Sequence, residues 1–209
     1  MVPGAILLGT ALVMTLSRQV QVMTRFILIQ TSHNGNVGAA ARAMKTMGFE
    51  ELVLVEPKDP KVLRRDKTKH GASGALDILE SAKVVNSLHE ALEGGFDQYV
   101  CATGMAHSMQ FERPQQQYRA PRQYFEKVVK EVEQPLRIAF LFGNERYGMR
   151  PEDIDVCQVV LGIPTNPQFG SLNLASAVQL IAYDWREAIG GYSMEDQEQP
   201  TIRSTEEQQ

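Results

Sequence analysis

Apolar residues in this chain come in two patterns. Short continuous runs at 26–30, 52–55, 84–85, 99–103, 138–142 and 159–163 read as strands buried on both faces. Between them, apolar positions recur at helical spacing. Val37, Ala40, Ala41, Met44 and Met47 form one helix face, closed by Gly48, and further helices are predicted at 75–82, 88–92 and 123–132, with a short one opened by Pro151. In the last helix Leu174, Val178, Ile181, Trp185 and Ile189 repeat at steps of four and three, and Ser171 before it is the expected N-cap. Ala175, Ala177, Leu180 and Ala182 make its first half apolar nearly all round, which predicts burial on two sides.

Strands alternating with helices predict an α/β fold, with a mainly parallel sheet carrying helices on both faces. Three units are expected: residues 1–22, 23–190 and 191–209. The first contains an apolar run at 6–16, broken by Gly9, Thr10 and Thr15 and preceded by no basic residue. It is short for a bilayer and lacks the positive region of a signal peptide, so it reads as a leader or flexible extension, with no membrane partner. The last unit is polar and acidic and is expected to be disordered.

The 209 residues, 43% hydrophobic and 22% charged, suit one globular domain. The net charge of −4 argues at first against a nucleic-acid partner, but Glu195, Asp196, Glu198, Glu206 and Glu207 against Arg203 place that whole excess in the last twenty residues. The remainder is close to neutral, and its cations cluster: Lys58, Lys61, Arg64, Arg65, Lys67 and Lys69 face only Asp59 and Asp66. That run is a solvated loop or an RNA-backbone contact. Cys101 and Cys157 form no disulfide framework, which makes a reducing, cytoplasmic location the default. His33, His70, His89 and His107 lack metal-ligand spacing, so no metal site is expected.

Three polar loops follow strands. Asn34-Gly-Asn-Val-Gly-Ala-Ala-Ala-Arg42 opens a helix, with Asn36 as a possible cap, Gly38 admitting another backbone, and Arg42 further in. Phe142-Gly-Asn-Glu-Arg-Tyr-Gly-Met149 brackets Asn144, Glu145 and Arg146 with glycines. The third carries Asn166, Ser171 and Asn173. In open α/β sheets such loops converge at the carboxyl edge of the strands, where ligands bind.

In order and spacing, Asn36-x-Gly38-x-x-x-Arg42, Leu141-Phe-Gly-Asn-Glu-x-x-Gly148 and Ile163-Pro-x-x-x-x-x-x-Ser171-Leu-Asn-Leu174 resemble the three motifs of the SpoU-type RNA ribose 2′-O-methyltransferases of the SPOUT superfamily. The run at 41–48 is similar to its TrmJ-like tRNA/rRNA subgroup. The resemblance implies a C-terminal trefoil knot, a homodimer and S-adenosyl-L-methionine as cofactor. It places the cofactor against Thr103, Gly104, Met105, Gly143, Ile163, Gly170, Ser171 and Leu172, and gives Arg42, Glu145, Ser171, Asn173 and Asn36 the catalytic roles. Arginine is hard to deprotonate, so Arg42 is expected to act as a cationic donor to the ribose oxygen or a nearby phosphate, with Ser171 or Glu145 passing on the proton. The implied substrate is RNA, tRNA before rRNA, at an anticodon-loop ribose. The alternatives are a noncatalytic RNA-binding protein of the same fold and a base methyltransferase. Two departures bear on the substrate: Gly104-Met-Ala-His-Ser-Met109 stands where the subgroup carries an arginine-bearing stretch, and the subgroup's longer C-terminal extension is absent. Arg113, Arg119 and Arg122 are candidates to compensate.

Overall fold

The computed structural model describes residues 21–103, 118–131 and 135–193. Residues 1–20 of the first expected unit and 194–209 of the last therefore lie outside the described residues, and β1 takes in Val22. Seven strands form one sheet in the order β3-β2-β1-β6-β4-β7-β5. They are β1 (Val22–Ile29), β2 (Glu51–Val55), β3 (Lys83–Val85), β4 (Gln98–Thr103), β5 (Tyr118–Arg119), β6 (Leu136–Phe142) and β7 (Val159–Gly162). Every pairing is parallel.

Parallel strands need crossovers, and these cover both faces of the sheet. Helices α1 (Asn34–Thr46), α2 (Asp66–Ala72), α3 (Leu76–Ser81), α5 (Pro121–Glu131) and α7 (Leu174–Ala188) pack on one face. Here Phe26, Leu28, Phe140 and Phe142 point towards Trp185 and Phe125. Helices α4 (Leu88–Ala91) and α6 (Pro151–Asp155) cover the other, over Ile27, Ile29, Ala139 and Leu141. Successive residues of β1 thus belong to opposite cores, which is why its run is apolar without alternation. Trp185 is fully buried, and its indole N–H donates to the Thr24 hydroxyl at 2.9 Å.

Several expectations change. Helix α7 starts at Leu174, and Asn173, not Ser171, is its cap, accepting from the Ala175 N–H at 2.9 Å. Asn36 lies inside α1 instead of capping it, since the helix begins at Asn34 after His33. The cationic run is a 3₁₀ turn (Val62–Arg64) followed by α2, with Thr68 and Ala72 buried beneath the charges. A helix of two turns is too short to show a period among so many lysines. Within a single chain α7 is buried on one side only, leaving Leu180 and Tyr183 at 42% and 44% exposure. Beyond α7, Tyr192 lies under the Arg186 guanidinium at 5.0 Å.

The strand order runs outward in both directions from β1 and β6. After β1 the chain moves to one face as α1; after β6 it moves to the other as α6. This is a topological switch point, which leaves a crevice beyond the carboxyl ends of the two strands.

Candidate functional site

Glu145 fills that crevice. The residues after β6 fold into a tight loop in which Asn144 and Gly148 exchange two backbone hydrogen bonds of 2.9 Å. Gly143 is required here, because a Cβ would sit 2.3 Å from the Gly148 carbonyl carbon. The Asn144 side chain accepts from the N–H groups of Arg146 and Tyr147 at 2.9 and 3.1 Å and donates to the Gln30 carbonyl at 2.6 Å. So braced, the loop projects Glu145 towards the start of α1.

Four donors meet its carboxylate. Oε2 accepts from the Ser32 backbone N–H and hydroxyl, both at 2.9 Å, and Oε1 from the His33 N–H at 3.2 Å and the Asn36 amide at 3.0 Å. Burial pushes the Glu145 pKa up, but the hydrogen bonds from Ser32 and Asn36 outweigh it and hold the carboxyl below its ordinary range. An ionised carboxylate only accepts, so it orients everything around it. Asn36 must turn its NH₂ to Glu145, and its Oδ1 then accepts from Asn173 Nδ2 at 2.9 Å. Ser32 must donate its hydroxyl proton, leaving Oγ to accept from His33 Nδ1 at 3.0 Å. The His33 side chain is itself 66% exposed.

The structure therefore joins Asn36 in the first turn of α1, Glu145 in the loop after β6 and Asn173 at the cap of α7. Arg42 stands apart. It follows Asn36 by six residues, hence about 120° round the helix and about 9 Å along it. It is exposed and forms no hydrogen bond or ion pair among the described residues. Ser171 is exposed and likewise unbonded among the described residues. Asn166 closes its own turn, accepting from Phe169 and Gln168 at 3.0 and 2.9 Å. Ser32 and His33 were missed by the sequence reading; their signal was position, directly before the first motif.

Of the backbone positions, Thr103, Gly143 and Ile163 sit side by side. Cys101 pairs with Leu141 and Thr103 with Gly162, so the ends of β6, β4 and β7 are level. Gly104 and Met105 lie outside the described residues. From β7 the segment 163–173 passes over the ends of β4 and β6 to bring Asn173 to Asn36, a span of three strand spacings, about 14 Å. Along it the N–H groups of Ser171 and Leu172 donate to no described residue. An edge of level strand ends under a strap whose backbone donors no described residue takes up fits a ligand read through the main chain, as an adenosine-bearing cofactor would be.

A family model described as the SpoU rRNA Methylase family matches residues 23–183. A Pseudomonas aeruginosa protein, tRNA (cytidine/uridine/adenosine-2′-O-)-methyltransferase TrmJ, is 40% identical over 169 residues, covering 78% of this chain and 60% of its own. Its Photorhabdus laumondii counterpart, tRNA (cytidine/uridine-2′-O-)-methyltransferase TrmJ, is 41% identical over 165 residues, covering 78% and 64%. The chain thus spans about three-fifths of the length of these relatives. Among solved structures, a probable methyltransferase from Bordetella pertussis Tohama I superposes with a TM-score of 0.70 at 38% identity, over 81% of this chain and 96% of that one.

Proposed function

This chain belongs to the SpoU rRNA methylase family, and from that premise we propose that it is an S-adenosylmethionine-dependent RNA methyltransferase acting on a ribose 2′-hydroxyl, most plainly of tRNA. The observation that carries the reading is the hydrogen-bonded chain Glu145–Asn36–Asn173, which ties the three motif loops together at the switch point. A protein that only bound RNA would have no need to orient three such groups beside backbone donors that no described residue takes up.

Bound S-adenosylmethionine would supply a sulfonium methyl to which the ribose oxygen attaches as the carbon–sulfur electron pair leaves with sulfur. The protein's own residues would do the rest. Thr103, Gly104, Met105, Gly143, Ile163, Gly170, Ser171 and Leu172 would hold the cofactor mainly through their backbones. Asn36 and Asn173 would hold the motif loops in fixed geometry, so that proximity supplies much of the acceleration. Glu145 would act as the tether that sets their polarity, since its acceptor sites are already taken. Arg42, whose guanidinium is unpaired among the described residues, would donate to the ribose oxygen or an adjoining phosphate and stabilise developing negative charge. Ser171, unbonded among the described residues, would stand at the reacting centre, accept the proton that the ribose hydroxyl loses and pass it to solvent.

The working unit in this proposal is a cytoplasmic homodimer with a C-terminal trefoil knot. Leu180 and Tyr183, exposed on α7, support a second copy, and the passage of 163–173 across the strand ends supports the knot. Among the described residues no helix is long and apolar enough to cross a membrane. As domains we propose 23–190 as the methyltransferase unit, with 1–22 a leader and 191–209 a tail.

The test is to incubate the protein with methyl-labelled cofactor and unmodified tRNA or rRNA, then digest with a ribonuclease that requires a free 2′-hydroxyl. Label in an uncut dinucleotide is the expected result and identifies the RNA class. Label in single nucleotides means base methylation, and no label despite cofactor binding means a noncatalytic binder; either overturns the proposal.

A further inference from the structure

We propose that the exposed cations between 58 and 69 form the track on which the phosphodiester backbone of the substrate RNA lies as it enters the site. This rests on the RNA methylation reading above.

Lys58, Lys61, Arg64, Lys67 and Lys69 are all exposed, and none enters an ion pair among the described residues. Arg65 alone is neutralised, bonding Asp59 at 2.6 and 3.2 Å. The Arg65 guanidinium, with the Lys61 N–H, holds the Asp59 carboxyl at about 2, so that acid is committed and leaves its neighbours uncompensated. Asp66 is the one other acid of the segment.

These charges are rigidly placed beside the site. A Cβ at Gly38 would lie 1.9 Å from the Thr68 carbonyl oxygen, and one at Gly71 would lie 2.9 Å from that of Gly35, so the backbones of α1 and α2 are in direct contact. The Thr68 hydroxyl lies 3.1 Å from the Asn34 carbonyl and 2.6 Å from that of Val62, clamping the 3₁₀ turn, α2 and the first turn of α1 together. The Lys67 stem runs over Gly35, its Cε 3.4 Å from where a Cβ would stand. Gly35 lies between His33 and Asn36, so the track ends at the residues that meet Glu145.

The chemistry favours RNA over a protein or a lipid surface. No large apolar side chain is exposed anywhere from 58 to 71, so the segment offers neither the anchor of a protein interface nor the apolar face of a membrane-surface helix. A cluster of exposed ammonium and guanidinium groups on a backbone packed against α1 is what a polyanion needs.

The experiment measures tRNA binding by the full chain against salt concentration, for wild type, for the triple variant Arg64→Ala/Lys67→Ala/Lys69→Ala, and for Lys127→Ala/Lys130→Ala on α5 as a control. These side chains are exposed, and cofactor affinity and melting temperature verify folding. The triple variant should flatten the slope of log K against log salt by about three and weaken binding near 0.15 M salt roughly ten- to a hundredfold. The control should keep the wild-type slope. A triple variant with the wild-type slope overturns the track and leaves the methyltransferase reading intact, as does an equal loss in the control, which would make the effect one of net charge. Wild-type protein that neither binds nor methylates RNA overturns both.

Discussion

Replacing Glu145 by glutamine keeps the shape of the side chain but turns one of its two accepting ends into a donor. If the amide NH₂ takes the place of Oε1, it faces the His33 N–H and the Asn36 NH₂; in place of Oε2 it faces the Ser32 N–H and hydroxyl. Ser32 can rotate its hydroxyl, but neither backbone N–H can move away, and Asn36 cannot flip without confronting the Asn173 NH₂. One backbone donor is stranded in either orientation, at about 1–3 kcal/mol, and the charge assistance to the others is lost, giving about 2–4 kcal/mol in all. For a chain of this length that lowers Tm by about 4–16 °C in differential scanning calorimetry. Because the lost bonds dock the motif loops, cofactor affinity by titration calorimetry should fall with it. The pH dependence has a definite sign. The Glu145 pKa is depressed from 4.5, so its contribution is complete above that pH and disappears as pH falls through the folded value. The stability gap between wild type and variant should therefore be widest near neutrality and close in acid. A variant that melts within about 1 °C of wild type and binds cofactor normally, yet is inactive, would refute the tether and make Glu145 a proton carrier.

Three further outcomes follow from the same geometry. Asn173→Ala should lose the cap of α7, about 1 kcal/mol, and lower Tm by about 2–4 °C, whereas Ser171→Ala should leave Tm within about 1 °C; the reverse ranking would return the cap to Ser171. Gly38→Ala drives a methyl group into the Thr68 backbone and should cost at least about 3 kcal/mol, read as a Tm loss above about 6 °C or failure to fold. A wild-type melting curve would show that α2 is free to shift. Arg42→Ala should abolish methyl transfer in the labelling assay with cofactor affinity unchanged; loss of both would make Arg42 structural.

The strands and most helices were legible from the sequence because a parallel sheet buried on both faces demands continuous apolar runs, and an amphipathic helix must repeat its apolar face. Glycines and polar residues after those runs pointed to a candidate site at the carboxyl edge for the same local reason. Tertiary structure decided how the polar groups are shared. Glu145 meets Asn36 across 109 positions and Asn36 meets Asn173 across 137, separations over which periodicity is silent. Ser171 and Asn173 are both good caps by residue type, and only the path of 163–173 over the strand ends selects Asn173. Cationic α2 read as a loop because its two buried positions, Thr68 and Ala72, are too few to declare a period. One-dimensional pattern records which side of an element is dry; which donor finds which acceptor depends on where the topology sets the elements down.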